Sequence, residues 1–206
     1  MQQIIDILRS TYLELEAYMQ IGGIVMVPLA AASLLMWFLI MDRAIFFRRL
    51  YRKNMSFQTA WDHVQGNRMP DPGQYGGAIS LLVARFLQAR SGNRELDRFI
   101  LDETVMRINR SLGDYLTVIA VLAAITPLLG LLGTVTGMIA TFDVLAVFGT
   151  GNARAMADGI SEALITTQTG LLVAIPGLYM KSFLDRRAGN LRKRIAAAGL
   201  YLRRQL

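Results

Sequence analysis

Two threonines and one glutamate have the types and spacing needed to handle protons or ions inside a membrane. Glu162 and Thr167 are five residues apart, or about 7.5 Å along a helix, and Thr134 lies in a separate apolar run. A carboxylate at the edge of a membrane span is costly unless water or a partner reaches it. A buried hydroxyl likewise needs a hydrogen-bonding partner. These residues predict a carboxylate at an outer mouth and hydroxyls deeper in the membrane.

The two apolar runs that contain Thr134 and Thr167 lack the titratable side chain that a complete proton or ion relay requires. Neither contains an Asp, Lys, Arg or His in its middle, so another subunit must bring the titratable group if the chain takes part in a relay. The chain has no cysteine, and its one histidine, His63, is typical of a packing or surface residue. The glycines at 130–137 are not followed by the lysine of a phosphate loop. We therefore expect no catalytic site, metal site or cofactor, and no enzyme activity.

Three uncharged runs must position these side chains. They cover residues 21–41, 115–142 and 163–180, and about 20 helical residues cross the hydrocarbon core of a bilayer. Apolar residues make up 53% of the 206 residues, and the mean hydropathy is +0.38. The predicted fold class is an all-α membrane protein with three transmembrane helices and long cytoplasmic helical extensions.

Small and hydroxylated side chains recur at steps of three or four along the second and third runs, which predicts close helix packing. On the second run the predicted face comprises Thr117, Ala120, Ala124, Gly130, Thr134, Gly137 and Thr141, with one wider gap. On the third run it comprises Ala163, Thr167, Gly170, Ala174 and Gly177. The residues assigned to helix packing or kinking are Gly130, Gly133, Gly137, Gly170, Pro127 and Pro176. At most of these positions packing is favoured over a polar lining, with threonines bonding back to their own carbonyls.

The distribution of charge predicts the orientation. Residues 42–114 carry 12 Lys and Arg against 8 Asp and Glu, and residues 181–206 carry 8 against 1. Residues 1–20 and 143–162 each carry 1 against 3. The positive-inside rule then places the N-terminus outside and the C-terminus in the cytoplasm. Basic residues just past the membrane exits are explained by this topology and by contact with anionic lipids, without nucleic-acid binding.

The predicted organisation follows from the runs and the charges. It comprises an outer amphipathic helix at 1–20, spans at 21–41, 115–142 and 160–180, a cytoplasmic helical region at 42–114, an outer loop at 143–159 and a basic cytoplasmic helix at 181–206. Residues 43–64 lack Gly and Pro and are predicted to continue the first span as one helix. Residues 66–77 are predicted to form a loop before a helix that begins near Ala78 and is interrupted at 91–93.

Two separated motifs resemble those of the MotA/TolQ/ExbB proton-channel family. The first reads Gly130-Leu-Leu-Gly-Thr134-Val-Thr-Gly-Met-Ile. The second reads Asp158-Gly-Ile-Ser-Glu162-Ala-Leu-Ile-Thr-Thr167 and continues as Gly170-Leu-Leu-Val-Ala-Ile-Pro176. The resemblance is close over residues 115–185, and the layout of three spans with a cytoplasmic insert extends it. The ExbB branch is the nearest.

The resemblance implies a pentameric ring in the bacterial inner membrane, with a periplasmic N-terminus. The ring would enclose two helices of a partner similar to ExbD, TolR or MotB, which carries the essential aspartate. Thr134, Thr167 and Glu162 would line the passage by which that aspartate exchanges protons. Proton flow would rotate the partner, and a TonB-like protein would pass the work to outer-membrane transporters.

Two departures from the family pattern leave alternatives open. Thr136 stands where many members have tryptophan, and Gln168 adds an amide beside Thr167, so sodium remains an alternative to the proton. A TolQ-like role in envelope integrity or constriction is the next alternative. A self-contained small transporter is the alternative from a different class, although transporters usually show more spans and internal repeats. The flagellar branch ranks last because it has a fourth span.

Overall fold

The computed structural model describes Arg9 and residues 16–53, 55–149 and 152–206, and these residues form helices joined by turns. The helices of this part of the chain are α1 (Met26–Tyr51), α2 (Phe57–Gln65), α3 (Ala78–Ala89), α4 (Arg94–Ser111), α5 (Leu116–Phe148) and α6 (Ala153–Gln205). Residues 16–21 are also helical. The remainder of the amphipathic helix predicted over 1–20 lies outside the described residues, apart from Arg9.

Three helical stretches of the described chain are long and apolar enough to cross a membrane. They are Met26–Tyr51, Arg94–Phe148 and Ala153–Gln205. In the second stretch the apolar part is α5, because α4 carries the charged residues. The structure therefore confirms the all-α fold class with three candidate membrane-spanning helices.

The chain divides into two units, and the first contains the predicted site. It comprises Met1–Phe38 and Val118–Tyr179, which include the apolar parts of α1, α5 and α6. Leu29, Met36 and Ala123 are almost fully buried within it. Leu34 and Phe38 of α1 are 74% and 71% exposed, so α1 presents a large apolar surface to its surroundings, as a membrane span does.

The second unit comprises Leu39–Thr117 and Met180–Leu206 and has its own apolar core. The core side chains that are completely buried include Phe47, Leu82, Phe86, Leu101, Ile108, Leu191 and Leu202. Arg43 lies 4.5 Å from the ring centroid of Tyr115, and its Nη1 donates to the carbonyl of Ser111 at 3.4 Å. This guanidinium thus joins the start of the unit to the turn between α4 and α5.

The predicted continuous helix over 43–64 is wrong, because α1 ends at Tyr51 and α2 begins at Phe57. Lys53 has a φ of 51°, a left-handed conformation that a continuing helix excludes. Ser56 then caps α2, since its side chain accepts from the backbone N–H of Thr59 at 3.1 Å. The start near Ala78 and the interruption at 91–93 are confirmed by α3 and α4.

The connection between α5 and α6 also differs from the loop predicted over 143–159. Residues 143–148 and 153–159 are helical, since residues 143–148 contain neither Gly nor Pro to end α5. Gly149 follows α5 with a φ of 59°, the usual conformation after a helix C-terminus. The Oδ1 of Asn152 accepts from the backbone N–H of Ala155 at 3.2 Å and caps α6.

A buried carboxylate fixes the turn between α3 and α4. Asp97 is 1% exposed and accepts hydrogen bonds from Arg90 Nε at 2.9 Å and from the backbone N–H of Ser91 at 2.8 Å. The Ser91 hydroxyl and the Gly92 N–H also donate to it. Burial alone raises the pKa of Asp97, but these donors outweigh it and the pKa lies below its ordinary value of 3.8. The ionised carboxylate therefore stabilises the fold.

Asp97→Asn should destabilise the second unit by roughly 1.5–3 kcal/mol, because a charged acceptor of several hydrogen bonds is lost. Since the folded pKa is lowered, the stabilisation is complete above pH 3.8 and is lost only as the pH falls through the folded pKa. Thermal unfolding of the purified protein measures both effects. Asp102→Asn is the matched control, because Asp102 forms only an exposed ion pair with Arg203 at 3.6 Å. Equal unfolding temperatures for the two variants would contradict the role of Asp97.

Candidate functional site

Helices α5 and α6 approach closely where two glycines face each other. A Cβ on Gly170 would lie 2.7 Å from the carbonyl oxygen of Thr126 and 3.2 Å from the Cα of Gly130. A Cβ on Gly130 would lie 3.0 Å from the carbonyl oxygen of Thr166. Any larger residue at either glycine would therefore press on backbone atoms that cannot move independently. The pair sets the separation of the two helices.

The contact continues towards the end of α5. A Cβ on Gly133 would collide with the side chain of Thr166, and one on Gly137 would lie 2.6 Å from the carbonyl oxygen of Gly159. Thr166 is completely buried, and its hydroxyl donates to the carbonyl of Ala163 at 3.0 Å. Small residues thus form an uninterrupted line of backbone contact between these helices.

Pro127 lies inside α5, and a neighbouring hydroxyl compensates for its missing N–H. Proline cannot donate to the carbonyl four residues earlier, which here belongs to Ala123. The hydroxyl of Thr126 donates to that carbonyl at 3.1 Å and is completely buried. Pro176 likewise lies inside α6. A hydroxyl that restores a freed backbone acceptor is a common solution in membrane helices.

The two predicted threonines lie beside this line of contact and are half-buried. The hydroxyl of Thr134 donates to the carbonyl of Leu131 at 2.6 Å. The hydroxyl of Thr167 donates to the carbonyl of Gly130 on the other helix at 3.0 Å. In this arrangement both hydroxyl hydrogens are occupied, and the oxygen lone pairs are the groups that can still accept.

Glu162 lies on a different side of α6 from Thr167. Five residues correspond to a rotation of about 140° around a helix, and the contacts agree with it. A Cβ on Gly23 would collide with Oε1 of Glu162 and lie 2.8 Å from its Cδ. The carboxylate therefore contacts the turn before α1, whereas Thr167 contacts α5. The five-residue spacing already implies this separation, although the sequence interpretation used only the distance along the helix.

Glu162 lines a cavity of about 580 Å³ in the first unit, and the cavity wall is partly polar. The lining residues are Gln20, Ile21, Ala140, Val144, Ala155, Asp158, Gly159, Ser161 and Glu162. Two carboxylates, one hydroxyl and one amide are among them, so the cavity has the polar groups that water requires. Within the described residues, no three His, Cys, Asp or Glu side chains come together as a metal site would require.

Several residues of the site were not singled out from the sequence. Tyr18 lies near the cavity, and its hydroxyl is 3.1 Å from that of Thr169. Ala123 and Thr126 are also buried on α5, where they extend the buried line of Gly130, Gly133, Gly137 and Thr141 that the sequence had indicated. The steps along this line are all three or four, whereas the predicted face had a wider gap after Ala124. The predicted face is therefore right at Gly130, Gly137 and Thr141 and wrong before the gap, where the structure buries Ala123 and Thr126.

Comparison with known proteins matches the part of the chain that forms these helices. Residues 77–197 match the model of the MotA/TolQ/ExbB proton channel family. The ExbB-like 1 biopolymer transport protein of Synechocystis sp. is 36% identical over 171 residues, which is 77% of this chain and 66% of that protein. The biopolymer transport protein ExbB of Salmonella typhimurium is 28% identical over 183 residues, or 81% of this chain and 73% of that protein.

A second Synechocystis sp. relative, ExbB-like 3, is 33% identical over 164 residues, which is 76% of this chain and 78% of that protein. The chain thus spans just under two thirds of the first of these relatives and about three quarters of the other two. The matched region contains Thr134, Glu162 and Thr167, together with the glycines at which α5 and α6 meet.

Proposed function

Because this chain belongs to the ExbB branch of the MotA/TolQ/ExbB proton channel family, we propose that it is the ring-forming subunit of an inner-membrane proton channel. Five copies surround the helices of an ExbD-like partner, whose aspartate carries the proton. Proton flow drives movement of the partner, and a TonB-like protein uses that work to energise outer-membrane transport. The observation that carries the proposal is the pair of half-buried hydroxyls, Thr134 and Thr167, beside the α5–α6 contact.

The hydroxyl geometry supports a site that accepts a protonated acid. Thr134 and Thr167 donate to backbone carbonyls and keep their lone pairs free, so they accept a hydrogen bond from the O–H of a protonated aspartic acid. An ionised aspartate instead needs donors. Rotation about χ1 of either threonine releases its hydrogen from the carbonyl and supplies such a donor. Two hydroxyls that exchange these roles suit a carrier that alternates between its charged and neutral forms.

The absence of a titratable group from the middle of the second and third spans supports the need for a partner. These two spans carry Thr, Gly and Gln but no Asp, Lys, Arg or His in their middle. A buried charge without a counterpart is unstable in a bilayer, so the aspartate stays in the ring only while hydroxyls or water solvate it. The chain alone should therefore conduct poorly.

The protein is a multi-pass membrane protein, and the charge distribution supports its proposed orientation. The basic regions 42–114 and 181–206 lie in the cytoplasm, and the acidic segments 1–20 and 143–162 lie in the periplasm. In this orientation the cavity at Glu162 opens to the periplasm, where protons are more abundant. Glu162 then receives protons from outside, and Thr134 and Thr167 meet the partner at the ring axis.

Glu162→Gln should slow proton uptake while leaving the fold intact. The amide keeps the size and polarity of the side chain, but it replaces one acceptor oxygen with an NH2 donor and cannot ionise. We expect a decrease of roughly tenfold or more, in line with the loss of a positioned proton-transfer group. The measurement is acidification of liposomes that contain the chain and its ExbD-like partner, with thermal unfolding measured in parallel.

Asp143→Asn is the matched control for this variant. Asp143 is an exposed acidic residue of α5 next to Val144, which lines the cavity. Asp143 itself is absent from the cavity lining. Its substitution removes the same charge and should leave the flux unchanged. Equal flux in the wild-type and Glu162→Gln liposomes would contradict the role of Glu162.

The proposed function itself is tested by reconstitution with and without the partner. Liposomes that contain both proteins should take up protons when a membrane potential is applied. Liposomes with this chain alone, or with a partner whose aspartate is replaced by asparagine, should not. Solute uptake by the chain alone would instead favour a self-contained transporter and overturn the proposal.

A further inference from the structure

The segment before α1 lines part of the cavity at Glu162 and makes a contact with α6 at each of its ends. This segment, residues 18–23, is termed the outer strap. At its first end the Tyr18 hydroxyl lies 3.1 Å from Thr169 Oγ1. At its second end the backbone of Gly23 lies against the carboxylate of Glu162. Between these ends Gln20 and Ile21 line the cavity. The strap thus forms one wall of the cavity and contacts one side of the Glu162 carboxylate.

The direction of the Tyr18 hydrogen bond follows from the second bond of Thr169. The Thr169 hydroxyl donates to the carbonyl of Ile165 at 2.7 Å, and a hydroxyl has only one hydrogen. Thr169 must therefore accept from Tyr18, and the phenolic hydrogen is held in that bond. Tyr18 consequently serves as an anchor for the strap and does not relay protons in this arrangement.

Gly23 is required by both its backbone and its surroundings. Its φ of 65° lies in the left-handed region, which residues with a Cβ rarely adopt. A Cβ would also collide with the carboxylate of Glu162. A glycine therefore lets the strap lie directly on the carboxylate, so that displacement of the strap uncovers the side of Glu162 that Gly23 contacts.

We propose that the outer strap gates the access of water and protons to Glu162 and that the Tyr18–Thr169 hydrogen bond is its latch. This inference rests on the proposed function, because it assigns the control of proton access to the same carboxylate. Tyr18 is a positioning residue that acts through the strap. Opening the latch raises the exposure of the cavity without altering the α5–α6 contact, since Thr169 bonds within α6 through Ile165.

The test uses the absence of cysteine from the chain. Ser161→Cys places a single thiol in the cavity wall, and a membrane-impermeant maleimide applied to intact cells measures its accessibility. Adding Tyr18→Phe, which retains the ring and removes the hydroxyl, should raise the labelling rate about fivefold, the effect of losing one net hydrogen bond. Thr169→Val should do the same by removing the acceptor.

A double variant shows whether the two residues act through one bond. Tyr18→Phe combined with Thr169→Val should label no faster than either single variant. Ala157→Cys is the control reporter, because Ala157 is exposed on the same end of α6 and does not line the cavity. Its labelling rate should not respond to Tyr18→Phe, which excludes general unfolding of this end.

The gate would be overturned if Tyr18→Phe left the labelling rate of Ser161→Cys unchanged. It would also be overturned if the increases caused by the two single variants multiplied in the double variant. The labelling does not depend on proton flux. If Tyr18→Phe leaves the labelling rate unchanged while proton flux still depends on the partner, only the proposal that the strap controls access is refuted. Absence of partner-dependent flux with intact labelling effects would refute the proposed function and leave the control of access by the strap supported.

Discussion

Thr167→Val and Thr134→Val should each reduce partner-dependent proton flux by roughly ten- to hundredfold, as expected when a hydrogen bond to a charged group is lost. Valine has the shape of threonine but cannot accept from a protonated aspartic acid or donate to its ionised form. The ring should still assemble. The carbonyl of Gly130, which accepts from Thr167 at 3.0 Å, lies within α5 and retains the acceptor role of a helical carbonyl. Proton uptake by liposomes with the partner measures the effect.

Thr134→Ser and Thr167→Ser are the matched controls, because serine keeps the hydroxyl and loses only the methyl group. These variants should retain most of the flux. If serine and valine variants lose flux equally, packing rather than hydrogen bonding explains the requirement. Full flux in both valine variants would contradict the proposed role of these hydroxyls.

Gly170→Ala should separate α5 from α6 and lower the stability of the first unit by about 1–3 kcal/mol, the usual cost of overpacking a close contact. The added Cβ would lie 2.7 Å from the carbonyl oxygen of Thr126 and 3.2 Å from the Cα of Gly130. Both are backbone atoms, so relief requires movement of a whole helix. Thermal unfolding in detergent and the yield of assembled complex are the measurements.

Gly189→Ala provides the control on the same helix. Gly189 also lies within α6, but a Cβ there meets nothing within 4 Å. Alanine has the higher helix propensity, so this variant should unfold at the same temperature as the wild type or slightly above it. A Gly170→Ala protein as stable as Gly189→Ala would contradict the close contact between α5 and α6.

The spans could be predicted from the sequence because hydropathy and length alone define them. The register of their contact was harder to predict, since α5 is apolar on every side and hydrophobicity does not distinguish its faces. The predicted set of small residues included Ala124, whereas the structure buries Ala123 and Thr126. The buried role of Thr126 follows from the carbonyl that Pro127 leaves free, a relation that spacing alone does not reveal.

The relative positions of the site residues depended on contacts between distant segments. Glu162 and Thr167 are close along α6 but point to different sides, because five residues turn a helix by about 140°. The segments that meet them, the turn at Gly23 and Gly130 of α5, come from distant parts of the chain. The end of α1 at Tyr51 was missed for a similar reason. The left-handed conformation of Lys53 could not be predicted, because the segment contains no Gly or Pro to indicate the end of a helix. The roles of Thr134, Thr167 and Glu162 stay predictions.

The central claim is that several copies of this chain enclose a hydroxyl-lined space that receives an acid from another protein. A density map of the complex purified with its ExbD-like partner tests it most directly. We predict five copies around the partner helices, with the partner's aspartate within hydrogen-bonding distance of Thr134 or Thr167. Lipid packed against both threonines, with the partner helices outside the ring, would contradict the account.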